Sequence, residues 1–181
     1  GRDTDSVSTT CPYCGVGCGL VVHRAEEKIV WVDGDHNNQS SLGMTCVKGR
    51  FGLDFVHSEE RLTTPLIRRN GQLEPASWEE ALQLVAEKFA AAQGSFASIA
   101  SAKATNEDGY IQQKFVRAVM QTNSIDHCSR LCHAPSVVAL MEQVGSGATS
   151  NSYSDYEQAG TLFVVGSDPS QNHPVIASRL R

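Results

Sequence analysis

Eight residues, Cys11-Pro12-Tyr13-Cys14-Gly15-Val16-Gly17-Cys18, carry three thiols, and a fourth, Cys46, follows after 27 intervening residues. This C-x2-C-x3-C-x27-C spacing constrains the chain more than any other feature. The loop must wrap tightly, and Gly15 and Gly17 give it access to backbone angles barred to other residues. Thiolates are soft ligands that select zinc, copper(I) or iron–sulfur clusters. A structural zinc site also takes four cysteines, but as two separated close pairs. Three clustered ligands and one distant ligand suit a 4Fe–4S cluster better. A disulfide framework is the third reading. It fits poorly with thiols this crowded, and ligand thiols in a reducing cytoplasm account for them better.

The segments between the ligands explain how Cys46 returns. Gly19–His23 and Lys28–Val32 are short and β-branched around a charged turn, which reads as a hairpin. Residues 33–38 are turn chemistry. Cys46–Gly52 reads as the start of a short helix, with Lys48 two residues from a ligand. Lys48 is either an ordinary solvated lysine or a cation held beside an anionic cluster. Residues 1–10, rich in Ser and Thr, read as a mobile lead-in.

Further on the pattern changes. Asn70-Gly71 between two strand-like runs predicts a two-residue hairpin turn. Ser77-Trp78-Glu79-Glu80 predicts a capping box opening a helix to about Ala92, with Gly94 ending it. Phe96–Ser101 reads as a buried strand, and a helix is expected over about 107–120. Strand, loop and helix in this order imply a parallel α/β layer, whose ligands gather at the carboxyl ends of strands. Lys103 and Asn106 fall at such an end. Cys132-His133 precede Pro135, which suits a first helical turn. A thiol there would feel the positive end of the helix dipole. Gly145–Ser152, including Gly147, is a small-residue loop suited to phosphate. Thr161–Gly166 reads as a parallel-sheet strand that ends in Gly166-Ser167-Asp168. The chain stops inside a helix begun at His173, which reads as a fragment of something longer.

Composition excludes several classes. With 20 acidic and 15 basic residues in 181, a net charge of −5 leaves no basic footprint for nucleic acid. No apolar run reaches the length of a membrane span, and no signal peptide is visible. The 40% hydrophobic content supports a packed core.

Taken together, CPYCGVGC, CVKGRFG, LTTPLIRR, SWEEAL, ATNEDGY and LCHAPS resemble the molybdenum/tungsten bis-pyranopterin oxidoreductases, over nearly the whole chain from Cys11 to about Pro174. The Cys-His pair in RLCHAPS looks like that of formate dehydrogenase catalytic subunits. The resemblance implies an α/β fold, α+β at its N-terminus. A small β-hairpin iron–sulfur domain (1–62) would be followed by part of an αβα pterin-binding domain (63–132) and the start of a second (133–181). It implies that Cys11, Cys14, Cys18 and Cys46 hold a 4Fe–4S cluster and that Lys48 lies between cluster and pterin. Cys132 would ligate molybdenum or tungsten, and His133 would accept a proton. Lys103, Asn106, Gly147, Gly166 and Asp168 would serve the guanine dinucleotides of bis-molybdopterin guanine dinucleotide, and Arg130 and Ser136 would shape the metal site. Formate oxidation yields carbon dioxide, a proton and two electrons, and imidazole is the side chain that exchanges a proton near neutrality. The implied partners are formate or carbon dioxide, the rest of the catalytic subunit, and iron–sulfur or flavin electron-transfer subunits. The implied compartment is the cytoplasm, or the periplasm if a leader was removed. A nitrate reductase-like relative and a module holding only the cluster are the competing readings.

Overall fold

A computed structural model describes residues 4–181 and divides into two compact units, 4–61 with 149–181, and 62–148. This division departs after residue 62 from the expected order of domains, because 149–181 packs with the N-terminal unit.

The first unit is built on an antiparallel sheet in the order β1 (Asp5–Thr10), β2 (Gly19–Ala25), β3 (Lys28–Gly34). The hairpin β2/β3 is as expected, with Glu26 and Glu27 both at positive φ in its turn. β1 corrects the expectation of a mobile lead-in. Its polar sequence, DSVSTT, lacks an apolar alternation, yet it is fully paired with β2 from Asp5↔Arg24 to Thr10↔Gly19. Pairing rather than intrinsic propensity makes it a strand. A short helix α1 (Val47–Phe51) follows, then a 3-10 turn at Asp54–His57. The remaining elements of this unit are α6 (Tyr153–Gln158), α7 (Pro169–Asn172) and α8 (Pro174–Arg179). Leu20, Val32, Val16 and Val175 are buried together with Cys11 and Cys18, so the core of this unit surrounds the cysteine loop.

The second unit opens with the hairpin β4 (Leu66–Arg69) and β5 (Gln72–Pro75), turned at Asn70 and Gly71, both at positive φ. Helix α2 (Trp78–Ala91) starts where expected, with Ser77 Oγ accepting from the Glu80 N–H at 3.1 Å. The capping box is only half formed, because the Glu80 carboxylate turns to Arg69 instead. A complete capping box stands at Thr105/Asp108, opening α3 (Asn106–Lys114), which runs into a π turn at Phe115–Val119. Strands β6 (Ser98–Ala100) and β7 (Ile125–His127) pair in parallel on either side of that helix. The parallel α/β layer expected from strand, loop and helix is present, and β7 is a strand that the sequence reading did not include. Helices α4 (Ser129–Cys132) and α5 (Ala134–Val144) complete the unit. Phe89, Phe96 and Phe115 pack ring to ring at 5.1–6.2 Å between centroids, beside buried Val116 and Met120.

Two expected strands are corrected. β6 is short and not buried, since Ile99 is 80% exposed. Thr161–Gly166 forms no strand, and Phe163 is 92% exposed. Among the described residues no strand lies beside it, and an apolar run becomes a strand only when a partner takes its backbone groups.

Candidate functional site

The cysteine loop is the connection between β1 and β2. The Cys11 N–H donates to the Cys18 carbonyl at 2.8 Å, so the sheet itself closes the loop and turns its thiols inward. Gly17 sits at φ 71°, a conformation that favours glycine. The loop is then fastened to the segment that brings Cys46. Asn38 Nδ2 donates to the Gly17 carbonyl, and Asn38 Oδ1 accepts from the Ser40 and Ser41 N–H groups. The Gly19 N–H donates to Ser41 Oγ, which is wholly buried. At Gly34 a side chain would collide with the Gly43 carbonyl at 1.9 Å, so the returning segment lies directly on the end of β3.

Cys46 is the N-cap of α1. That helix lies on the loop so closely that a side chain at Gly49 would stand 3.4 Å from Cys11 Sγ. The Tyr13 hydroxyl donates to the Gly52 carbonyl at the far end of the helix. Cys11, Cys14, Cys18 and Cys46 thereby line one cavity of about 360 Å³. Lys48 lines the same cavity while remaining exposed, and Gln171, Asn172 and Val175 form part of its wall. Sequence reasoning missed this last wall, because nothing local in Ser170–Val175 marks it as a neighbour of the thiols. Three clustered thiols and one distant thiol brought to one cavity are the donor set of a 4Fe–4S cluster.

Burial pushes the Cys18 thiol up to about 11, with the neighbouring thiols Cys11, Cys14 and Cys46 adding to the shift. Burial raises Cys11 as well. Metal loading therefore displaces protons from this cavity, since only thiolates ligate. A second layer holds the loop from outside. The Tyr153 hydroxyl reaches the Gly15 and Val16 carbonyls at 3.4 Å. The Arg179 side chain, only 5% exposed, donates to Glu157 and to the Gln39 and Ser40 carbonyls. The Ser152-x-x-Asp155 capping box that starts α6 was readable in the sequence and would have placed Tyr153 at a helix start.

In the second unit Lys103 and Asn106 lie at one edge of a sheet, and the segment that carries Cys132 and His133 leaves from the same edge. Because β6 and β7 are parallel, the loop after β6, with Lys103 and Asn106, emerges beside the segment after β7. The Ala102 N–H donates to Cys128 Sγ at 3.1 Å and ties the two together. Cys128 is thus an exposed thiol bridging two loops. Cys132 is exposed at the end of α4, not inside the first turn of α5; His133 is the N-cap of α5, with Pro135 behind it. Asn106 opens α3, and Arg130 pairs loosely with Asp126 at 3.9 Å. Gly147 lies close under α5, 3.2 Å from Val137 Cγ1 were it given a side chain. Gly166 and Asp168 belong to the first unit. Gly166 is at φ 62°, and Asp168 caps α7 by accepting from the Ser170 and Gln171 N–H groups.

A cavity walled by four thiols at this spacing defines the class, an iron–sulfur protein. Comparison with known proteins then gives the family. The molybdopterin oxidoreductase Fe4S4 domain matches residues 4–58, and molybdopterin oxidoreductase matches residues 61–181. The chain is 44% identical over 181 residues to the F420-dependent formate dehydrogenase 1 subunit alpha of Methanococcus maripaludis, covering 98% of this chain and 27% of that protein. It is 44% identical over 178 residues to the probable oxidoreductase YjgC of Bacillus subtilis, covering 96% of this chain and 18% of that protein. A putative formate dehydrogenase, YrhE, of the same organism is 41% identical over 183 residues, with 98% of this chain and 19% of that protein covered. The chain belongs to the molybdopterin oxidoreductase family, whose domains here carry a 4Fe–4S cluster and a molybdopterin cofactor. It spans roughly a quarter or less of the length of these curated relatives.

Proposed function

We propose that the chain forms part of a formate dehydrogenase catalytic subunit, which oxidises formate to carbon dioxide or runs the reverse reaction. The observation that carries the reading is the Cys132-His133 pair at the carboxyl edge of a parallel sheet, in a chain whose N-terminal cysteines wall a cluster-sized cavity. The formate dehydrogenase names of two relatives support it. When bound, the molybdenum or tungsten pterin centre supplies two-electron redox chemistry and the cluster relays electrons singly. Cys132 would hold the metal through its thiolate, and His133, the next residue, would take the proton released as formate becomes carbon dioxide. Cys11, Cys14, Cys18 and Cys46 would hold the cluster, and Lys48, on the same cavity, would serve the electron path between cluster and pterin. Lys103 and Asn106 at the strand ends, together with Gly147, Gly166 and Asp168, serve the guanine dinucleotides.

In the longer protein 1–62 would be the cluster domain, 63–132 the first part of an αβα pterin-binding domain and 133–181 the start of a second; the join between the two family matches supports the first boundary, whereas 149–181 packs here with the N-terminal unit. Electron-transfer subunits of iron–sulfur or flavin type receive the electrons. The cytoplasm is the compartment proposed, since ligand thiols suit a reducing compartment. Among the described residues no helix is long and apolar enough to cross a membrane.

The test uses the full-length protein prepared without oxygen and a dye acceptor or donor. Formate oxidation without nitrate reduction is expected, and Cys132→Ser should abolish turnover while iron content stays unchanged. Nitrate reduction without formate oxidation, or full turnover in Cys132→Ser, would overturn the assignment.

A further inference from the structure

Three of the four cavity thiols come from one loop closed by the sheet, so their mutual placement is set by β1 and β2. Cys46 is different. It arrives on a separate segment, and its position depends on how α1 docks against β3. One side chain spans that joint. Arg50, on α1, donates through Nε to Thr45 Oγ1 at 3.1 Å, and through Nη1 to the Val32 carbonyl and to Asp33 Oδ1, each at 3.1 Å. Its own N–H donates to the Cys46 carbonyl at 3.1 Å. Arg50 therefore grips the residue before Cys46, the carbonyl of Cys46 and the end of β3 at once.

The acceptor on the sheet is itself held in place. Trp31 Nε1 donates to Asp33 Oδ2 at 3.0 Å, and His23 Nε2 lies 3.3 Å from the same oxygen. The His23 and Trp31 rings are stacked, with centroids 4.2 Å apart. Neighbouring strands β2 and β3 thus fix the carboxylate that fixes the guanidinium. Among the described residues this is the one arginine that touches both α1 and β3. A planar guanidinium with several fixed donors can satisfy all of these acceptors together, whereas an ammonium on a flexible stem cannot.

We propose that Arg50 is a positioning residue for the cluster. It sets the distance of Cys46 from the three loop thiols through Thr45 and the Asp33 carboxylate. This rests on the reading of Cys46 as a cluster ligand. Groups one layer outside the ligands commonly orient them, and their loss weakens metal binding selectively. The loop thiols keep their own fastening through Asn38 and Ser41, so loss of Arg50 frees one ligand and not four.

The experiment measures iodoacetamide labelling of each cysteine in the folded, iron-free 181-residue chain, mapped by peptide mass. A hydrogen-bonded charged group of this kind is worth enough that Arg50→Gln should speed labelling of Cys46 by about tenfold to a hundredfold. Cys11, Cys14 and Cys18 should keep their wild-type rates. Arg50→Lys should fail to restore the slow rate. Thr45→Val, which removes only the Nε acceptor, should speed Cys46 by about fivefold and decides the matter if Arg50→Gln does not fold. An unchanged Cys46 rate, full rescue by lysine, or all four thiols quickening in step would overturn the proposal. In parallel, a wild-type chain that takes up no iron on anaerobic reconstitution would sink the ligand reading while leaving the labelling result to stand by itself.

Discussion

The two units solve the same folding problem to different degrees. The unit built on β1–β3 buries Leu20, Val32, Val16 and Val175 around its thiols and closes its loops with Asn38, Ser41, Tyr153 and Arg179. The unit of residues 62–148 has a two-stranded parallel sheet, and its main helix α2 leaves Trp78, Leu82 and Val85 exposed. Two strands cannot cover the apolar faces of several helices. The difference teaches that a small β-sheet can hold a thiol-lined cavity when polar loop bonds supplement its core. An α/β layer needs more sheet before its helices are satisfied.

The comparison breaks first at Leu20. This side chain is fully buried against the cysteine loop, so Leu20→Ala should cost about 2–5 kcal/mol. Urea denaturation followed by the fluorescence of Trp31, the tryptophan of that unit, would measure it. A cost below about 1 kcal/mol would show that the core is not what holds the loop.

A smaller effect is expected at Glu157. The Arg179 hydrogen bond holds its carboxyl below the ordinary glutamate value. A carboxylate depressed in the fold contributes stability above its unfolded pKa, and that contribution is lost as pH falls through the folded value. Wild type should therefore lose thermal stability as pH drops below about 4.3. Glu157→Gln should start lower and fall less steeply over the same window. Parallel melting curves for the two proteins would contradict the role given to this pair.

The smallest effect belongs to the open unit. Leu82→Gln, on the exposed face of α2, should change stability by no more than about 0.5 kcal/mol. It should also reduce binding of a dye that reports exposed apolar surface. A large destabilisation would mean that this face is covered in solution.

Legibility in the sequence followed the range of the forces involved. Asn70-Gly71 and Ser77 are local chemistry, and both appear where expected. The four thiols were legible as a set because their spacing is itself a chemical pattern, and the structure brings them to one cavity. β1 was not, because its only reason to be extended is the strand beside it. Thr161–Gly166 misled in the opposite sense, being apolar and β-branched enough for a strand while lacking a neighbour to pair with. Arg50 went unnoticed as a fastening because its acceptors, Val32 and Asp33, lie on a strand that precedes it by 17–18 positions. For Cys132 the sequence placed a thiol near a helix start, and the intervening α4 turn moved it to the end of a different helix.

The wall contributed by Gln171, Asn172 and Val175 has a consequence for biosynthesis. These residues leave the ribosome roughly 130 positions after Cys46. At about 5–20 residues per second, that is a wait of roughly 6 to 26 s during which all four sulfurs exist but their chamber lacks a side. Until those residues emerge, the four thiols stand in a cavity without that wall.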